Sequence, residues 1–410
     1  MKIIWILVFV LFGCQNPAEC KNDFAPCSDS KGVCLSGECI ETENCGSDCS
    51  KKRYLPDTSL RVCYGPSEDG ADGTIECPSE AGSQCAFTDY CGQDAQYGWD
   101  TQNTPDLRFN IDSDGAVVVD KITDYFWQKC SAGQSEVECL GQAETMNWYQ
   151  ALDYCATLTA GGYQDWRLPD RYEIQSIVDY SRQSPVFDEV IFINSPSKFH
   201  EIYEMWWSEC YWSVTDYSGD SDVAWALLSN SGDISEGSGY EYHLNDKLSS
   251  DWDGCYVRCI RGDSEFLEKR RYIVSSAGTT GDLSTGLVWQ RCSFGEYGDN
   301  CEEGEALMLD WKSSLAYCEN LSLGGKSDWR LPNIIELVSI IDSSRKYPSI
   351  DTEAFPNTPF YGELFDNNAG QYWSSTARNY NSFALYADFS TGFSHFYIQS
   401  ESRHVRCVRN

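Results

Sequence analysis

The sequence predicts an α+β fold: two tandem domains, each of two helices and a mainly antiparallel sheet, behind a disulfide-rich irregular segment. Three observations predict it. The chain repeats itself once at domain length, helical spacing gives way to strand alternation within each copy, and cysteines fall at matching places in both copies.

Shifting the chain by 163 lays residues 155–196 on 318–359 with 20 identities in 42 positions. The matches include Gly161-Gly162 with Gly324-Gly325 and Asp165-Trp166-Arg167-Leu168-Pro169 with Asp328-Trp329-Arg330-Leu331-Pro332. Tyr211-Trp212-Ser213 recurs as Tyr372-Trp373-Ser374, and Val257-Arg258-Cys259 as Val405-Arg406-Cys407. A unit of this size is a domain and not a solenoid repeat. The expected boundaries are 107–263 and 270–410, after a leader at 1–13 and a cysteine-rich stalk at 14–106.

Each element has its own signal. Trp148, Ala151, Leu152, Cys155 and Leu158 have the three-to-four spacing of an amphipathic helix, repeated by Trp311, Leu315, Cys318 and Leu321. The double glycine is expected to end that helix. A second helix follows Pro169 and Pro332, where Asp170 with Glu173 and Asn333 with Glu336 have capping-box spacing. Asp179–Arg182 and Asp342–Arg345 read as ion pairs one turn apart on it. Phe383, Leu385, Ala387 and Phe389 then alternate as a strand, as do Val223, Trp225 and Leu227. Asp112-Ser113-Asp114-Gly115 reads as a hairpin turn before Val117.

Twenty-one cysteines point to an oxidising compartment. Cys155 and Cys318 sit on the first helix, Cys259 and Cys407 in the last strand, so one staple closes each domain. Cys130–Cys139 and Cys292–Cys301 are local clips. Cys210 and Cys255 lack counterparts and pair with each other. The ten cysteines between 15 and 105 staple a segment too polar to bury a core.

Lys2 and the apolar run 3–12 form a signal-peptide core too short to span a bilayer. It ends at Leu11-Phe12-Gly13-Cys14, which resembles a bacterial lipobox. Cys14 is the expected lipidation site, and Gln15 after it implies the outer membrane. Removing Cys14 leaves an even cysteine set. The net charge of −33 excludes nucleic acid as a partner and docking on anionic lipid through a basic patch.

The repeated Trp-Gln, Gly-Gly-x-x-Asp-Trp-Arg-Leu-Pro, Tyr-Trp-Ser-x-Thr and Val-Arg-Cys strings resemble the C-terminal domain family of Legionella collagen-like protein. That family is similar to the C-type-lectin-like and sulfatase-modifying-factor superfamily. The resemblance implies a C-type-lectin-like fold and, from the founding protein, adhesion through sulfated glycosaminoglycans. A chain this acidic repels sulfated sugars, so that ligand is not carried over.

No sugar-binding calcium motif of C-type lectins occurs. The loop Asp216–Asp222 has oxygen ligands for calcium but reads as solvated surface, so no cofactor and no metal site is expected. The domain cysteines are accounted for by staples, and neither a Ser-His-Asp set nor a phosphate loop is present. An enzyme related to the formylglycine-generating oxidases is the alternative, and a purely structural envelope component is another. The expected function is noncatalytic: a surface-exposed adhesion lipoprotein that recognises an extracellular glycan or protein. The segments between the second helix and the Trp-Ser strand differ most between the copies. The candidate ligand-binding residues are therefore Tyr203, Trp206, Trp207 and Glu209 in the first, and Tyr361, Glu363, Phe365, Asp366 and Asn368 in the second.

Overall fold

A computed structural model describes residues 108–197, 209–218, 220–235, 247, 254–262, 272–360, 368–378 and 382–410, with Asp23 and the short stretches 32–36, 38–41, 63–64, 74–75, 199–202 and 205–208. Cys14 and the leader lie outside the described residues.

Among the described residues of the cysteine-rich segment, β1 (Gly32–Leu35) pairs with β2 (Glu38–Glu41) and β3 (Cys63–Tyr64) with β4 (Thr74–Ile75). The first repeat opens with an antiparallel meander of β5 (Phe109–Ile111), β6 (Val117–Asp120) and β7 (Phe126–Gln128). Its first turn is made by Asp112, whose Oδ1 accepts the amides of Ala116 and Val117 at 3.0 Å, and by Gly115 at φ +77°. Helix α1 (Trp148–Thr157) starts at a capping box of Asn147 and Gln150. Helix α2 (Arg171–Ser176) starts at the box of Asp170 and Glu173. The chain then forms β8 (Phe199–Ile202), β9 (Met205–Ser208), β10 (Cys210–Asp216), β11 (Ala224–Leu228) and β12 (Ile234–Ser235), and β13 (Ile260–Arg261) returns to pair with β7.

The second repeat follows the same course. A meander of β14 (Tyr272–Ser275), β15 (Thr279–Asp282) and β16 (Val288–Gln290) precedes a small pair, β17 (Glu296–Tyr297) and β18 (Glu303–Gly304). Then come β19 (Met308–Leu309), α3 (Trp311–Glu319) and α4 (Ile334–Ser339). Strands β20 (Gln371–Ala377), β21 (Phe383–Asp388), β22 (Phe393–Ile398) and β23 (Arg403–His404) form one sheet with β19, and β24 (Val408–Arg409) closes on β16. The protein is thus mixed α+β with few helices, mainly antiparallel sheets and two tandem repeats.

Among the described residues, five disulfides tie these layers: Cys130–Cys139, Cys155–Cys259, Cys210–Cys255, Cys292–Cys301 and Cys318–Cys407.

Two local expectations are corrected. The glycine pairs do not end the first helices. These stop at Thr157 and Glu319, and Gly161-Gly162 and Gly324-Gly325 make a separate turn at positive φ. Nor are Asp179–Arg182 and Asp342–Arg345 on a helix. The second helices end at Ser176 and Ser339, and each pair braces the turn beyond, at 2.9 and 2.6 Å.

Equivalent elements of the two repeats meet, as in an isologous dimer: α2 with α4 and β12 with β22. One hydrophobic cluster runs through both repeats, with Ile174, Ile177 and Trp225 on one side and Ile334, Leu337 and Ile341 on the other. Arg171 crosses the seam. It donates to the Gly392 carbonyl at 2.5 Å and lies 4.1 Å over the Trp225 ring. Its full burial draws its pKa down to about 10. Gly392 sits at φ +94°, where a Cβ would come within 3.3 Å of Arg171 and Ile341. Tyr172 donates across the seam to the Ile341 carbonyl at 2.6 Å.

The seam also carries a titratable contact. His395 Nδ1 lies 2.9 Å from the buried Asp233 carboxylate. Burial opposes protonation of the imidazole, as do Arg378 and Arg403, but the Asp233 charge outweighs them and raises its pKa. A raised folded-state pKa stabilises fully below the unfolded value, and the gain fades as pH climbs through the folded one. Thermal unfolding should therefore show a small loss of stability as pH rises above about 6.5, absent in His395→Gln. Equal pH profiles for the two proteins would contradict this.

Candidate functional site

The repeated motif residues turn inward in both copies. Arg167 forms a bidentate pair with Glu173 at 2.7 and 2.8 Å, and Arg330 with Glu336 at 2.7 Å twice. The capping glutamate therefore closes the helix and holds the Asp-Trp-Arg-Leu-Pro strand to it. The Trp148 and Trp311 indoles donate to the Ser213 and Ser374 carbonyls at 2.8 and 2.7 Å. Trp212 and Trp373 donate to Met146 and Leu309 at 2.7 and 3.1 Å. The Tyr211 and Tyr372 hydroxyls meet Ser131 and Ser293 at 2.7 and 2.6 Å. Gln128 and Gln290 accept the amides of Cys259 and Cys407 at 3.1 and 3.2 Å. Buried polar groups need such partners. The shared residues build the frame.

The difference is concentrated at the base of the connection entering the Trp-Ser strand. Register places Glu209 opposite Gly370, Cys210 opposite Gln371, Cys255 opposite Arg403 and Tyr256 opposite His404, because Tyr211 bridges Tyr256 as Tyr372 bridges His404. In the first repeat the half-buried Glu209 accepts the Tyr256 hydroxyl at 3.0 Å. Burial, then the Glu209 charge, pushes the Tyr256 phenol up, so it stays a donor. The Glu209 carbonyl accepts the Ser229 amide and hydroxyl at 2.8 and 2.9 Å. In the second repeat a buried cation replaces the disulfide. Arg403 lies 4.3 Å over Trp373, 4.3 Å over Tyr386 and 4.7 Å over Tyr397, which is 47% exposed. One base presents a carboxylate and a phenol, the other a guanidinium behind aromatic rings.

The Lcl C-terminal domain pattern matches residues 116–261 and again 278–409. The chain belongs to the Lcl C-terminal domain family. No curated protein matches it.

The two Lcl C-terminal domains place the expected rim residues unevenly. Glu209 ends the first rim as described. Trp206 and Trp207 fall in β9, in register with Glu201 and His200; their side chains lie outside the described residues. This stretch, expected as a loop, is a hairpin, in keeping with the strand preference of tryptophan. Tyr203, Tyr361, Glu363, Phe365 and Asp366 lie outside the described residues. Asn368 begins the turn before β20, its carbonyl accepting the Gln371 amide at 3.1 Å. Sequence reasoning missed Tyr256 and Arg403. The exchange of Cys255 for Arg403 at one position of the repeat was the available signal.

No group of three or more His, Cys, Asp or Glu converges as for a metal ion among the described residues. In the acidic loop, Asp216 is engaged by Lys247 at 2.5 Å, and Asp220 caps the Asp222 amide at 2.9 Å. No described helix is long and apolar enough to cross a membrane.

Proposed function

We propose that this chain is a noncatalytic adhesion lipoprotein of a bacterial envelope. Its Cys14 carries lipid in the outer membrane, and its two Lcl C-terminal domains bind an extracellular glycan or protein through unlike rims. Family membership supports a binding role at a surface. The observation that carries the reading is that shared motif groups such as Arg167, Tyr211, Trp212 and Gln128 and their counterparts are used in internal hydrogen bonds, while the rim bases differ in charge and shape. The disulfides join each first helix to the closing segment of its own repeat, which favours a stapling use of those cysteines.

Glycan and protein arrays test this. Saturable binding is expected, weakened by Trp206→Ala, Trp207→Ala or Glu209→Ala by about tenfold or more, as for central anchor residues. Tyr149→Ala, exposed on α1 and not among the expected rim residues, should bind as the parent does. Binding insensitive to all three rim substitutions would remove the first rim as the site.

A further inference from the structure

The N-terminal hairpin packs on the second repeat, although the first follows it in sequence. Leu35 is fully buried in the second repeat's core, with Ile273, Trp329 and Leu331. Both β1 and β2 lie against β14. The Ser36 hydroxyl meets Thr279 Oγ1 at 2.8 Å, and the Ser36 amide donates to Asp23 Oδ1 at 2.5 Å. The Asp23 carboxylate in turn pairs with Arg409, which is 3% exposed and also 3.6 Å from Asp328.

The matching surface of the first repeat does not suit this arm. Strand register sets Asn110, which is exposed, where Ile273 packs under Leu35, and Val117 where Thr279 offers its hydroxyl. Arg261, the counterpart of Arg409, is closed by its own Asp165 at 2.7 and 3.0 Å. The arm therefore distinguishes two otherwise similar domains by one apolar contact, one hydroxyl and one guanidinium held less closely by its own domain's aspartate, at 3.6 Å in place of 2.7 Å.

We infer that the lipid anchor holds the second repeat next to the bilayer that carries it and turns the first repeat outward. This rests on the lipoprotein reading above. Asp23 is nine residues beyond Cys14, so even a fully extended connection reaches only about 30 Å. A domain of this length is roughly 35–40 Å across. The second repeat thus stays within its own diameter of the membrane. The chain from 42 to 107 imposes no comparable limit on the first repeat. The packed seam passes the orientation from one domain to the other, and the carboxylate-based rim at Glu209 becomes the one offered to distant partners.

The full lipidated chain, reconstituted in phosphatidylethanolamine–phosphatidylglycerol vesicles with a headgroup energy acceptor, tests this. A donor fluorophore is placed genetically at Ser327 or at its counterpart Gln164, both exposed. Transfer from Ser327 should exceed transfer from Gln164. Asp23→Ala, and more completely Asp23→Ala with Leu35→Asp, should abolish the difference. The mass of the N-terminal peptide from the same vesicles reports Cys14 acylation separately. An acylated chain with equal or reversed transfer overturns the orientation and leaves the anchor standing. An unacylated Cys14 overturns both.

Discussion

Replacing Cys318 and Cys407 together by serine should destabilise the second repeat by about 4.5 kcal/mol, while replacing Cys292 and Cys301 should remove only about 2.5 kcal/mol. The two bridges differ in the chain they close, 89 residues against nine. A cross-link acts largely by restricting the unfolded ensemble, and that restriction grows with the logarithm of loop length. Native burial adds in the same direction, since Cys318 and Cys407 are both fully buried and serine leaves an unfilled, polar site. Calorimetry should show the midpoint falling by roughly 9–18 °C for the long bridge, at about 2–4 °C per kcal/mol. Cys155–Cys259, closing 104 residues, should behave like Cys318–Cys407. Equal losses from the long and short bridges would mean that native strain or packing, and not loop closure, sets the size of the effect.

The frame was legible because it is written twice. A single apolar pattern leaves helix and strand ambiguous, but Trp148/Trp311 and Cys155/Cys318 repeat the same spacing in different surroundings. The capping boxes were legible because their chemistry is local, three residues apart. What was not legible is what repeats do to each other. Arg171 stands where the second copy has Ile334, and by composition it reads as a solvated charge. It is fully buried against the Gly392 turn of the other repeat and the Trp225 ring, a contact that spacing within one domain does not encode. The docking of Leu35 on the second repeat was hidden for the same reason: the partner lies far away in sequence. At the candidate rims, Glu209 was legible as a polar residue in a divergent stretch, but Tyr256, which it holds, arrives from a strand some 47 residues later.

The other large effect is expected from Arg406, and from Arg258 in the first repeat. Each guanidinium is fully buried and its hydrogen-bond partners are neutral. Arg406 donates to the Gln290 carbonyl at 3.0 Å, to the Arg291 carbonyl, to Ser293 Oγ at 3.3 Å and to Thr358 Oγ1 at 2.9 Å, and stacks 4.9 Å from Phe355. It thereby joins the end of β16, the loop after α4 and the segment before β24. Methionine fills similar space but donates nothing. The hydroxyls have recourse, since Ser293 already meets Tyr372; the two carbonyls lose their guanidinium partner. At about 1–3 kcal/mol for each buried group left unpaired, Arg406→Met should lose about 3 kcal/mol or more. The opposing effect is relief of a desolvated charge, which makes some buried ions replaceable by apolar residues. Here that relief is the smaller term, because rings and four acceptors already stabilise the cation. Arg406→Lys should rescue only part of the loss: a single nitrogen, Nη1, serves both carbonyls and an ammonium can replace it, but the second nitrogen that serves Ser293 and Thr358 is lost. Arg345→Ala, whose partner Asp342 is near the surface, should change stability by less than about 1 kcal/mol. Urea unfolding of the three variants decides between the accounts: a neutral or stabilised Arg406→Met would mean that desolvation of the charge outweighs the carbonyls it serves.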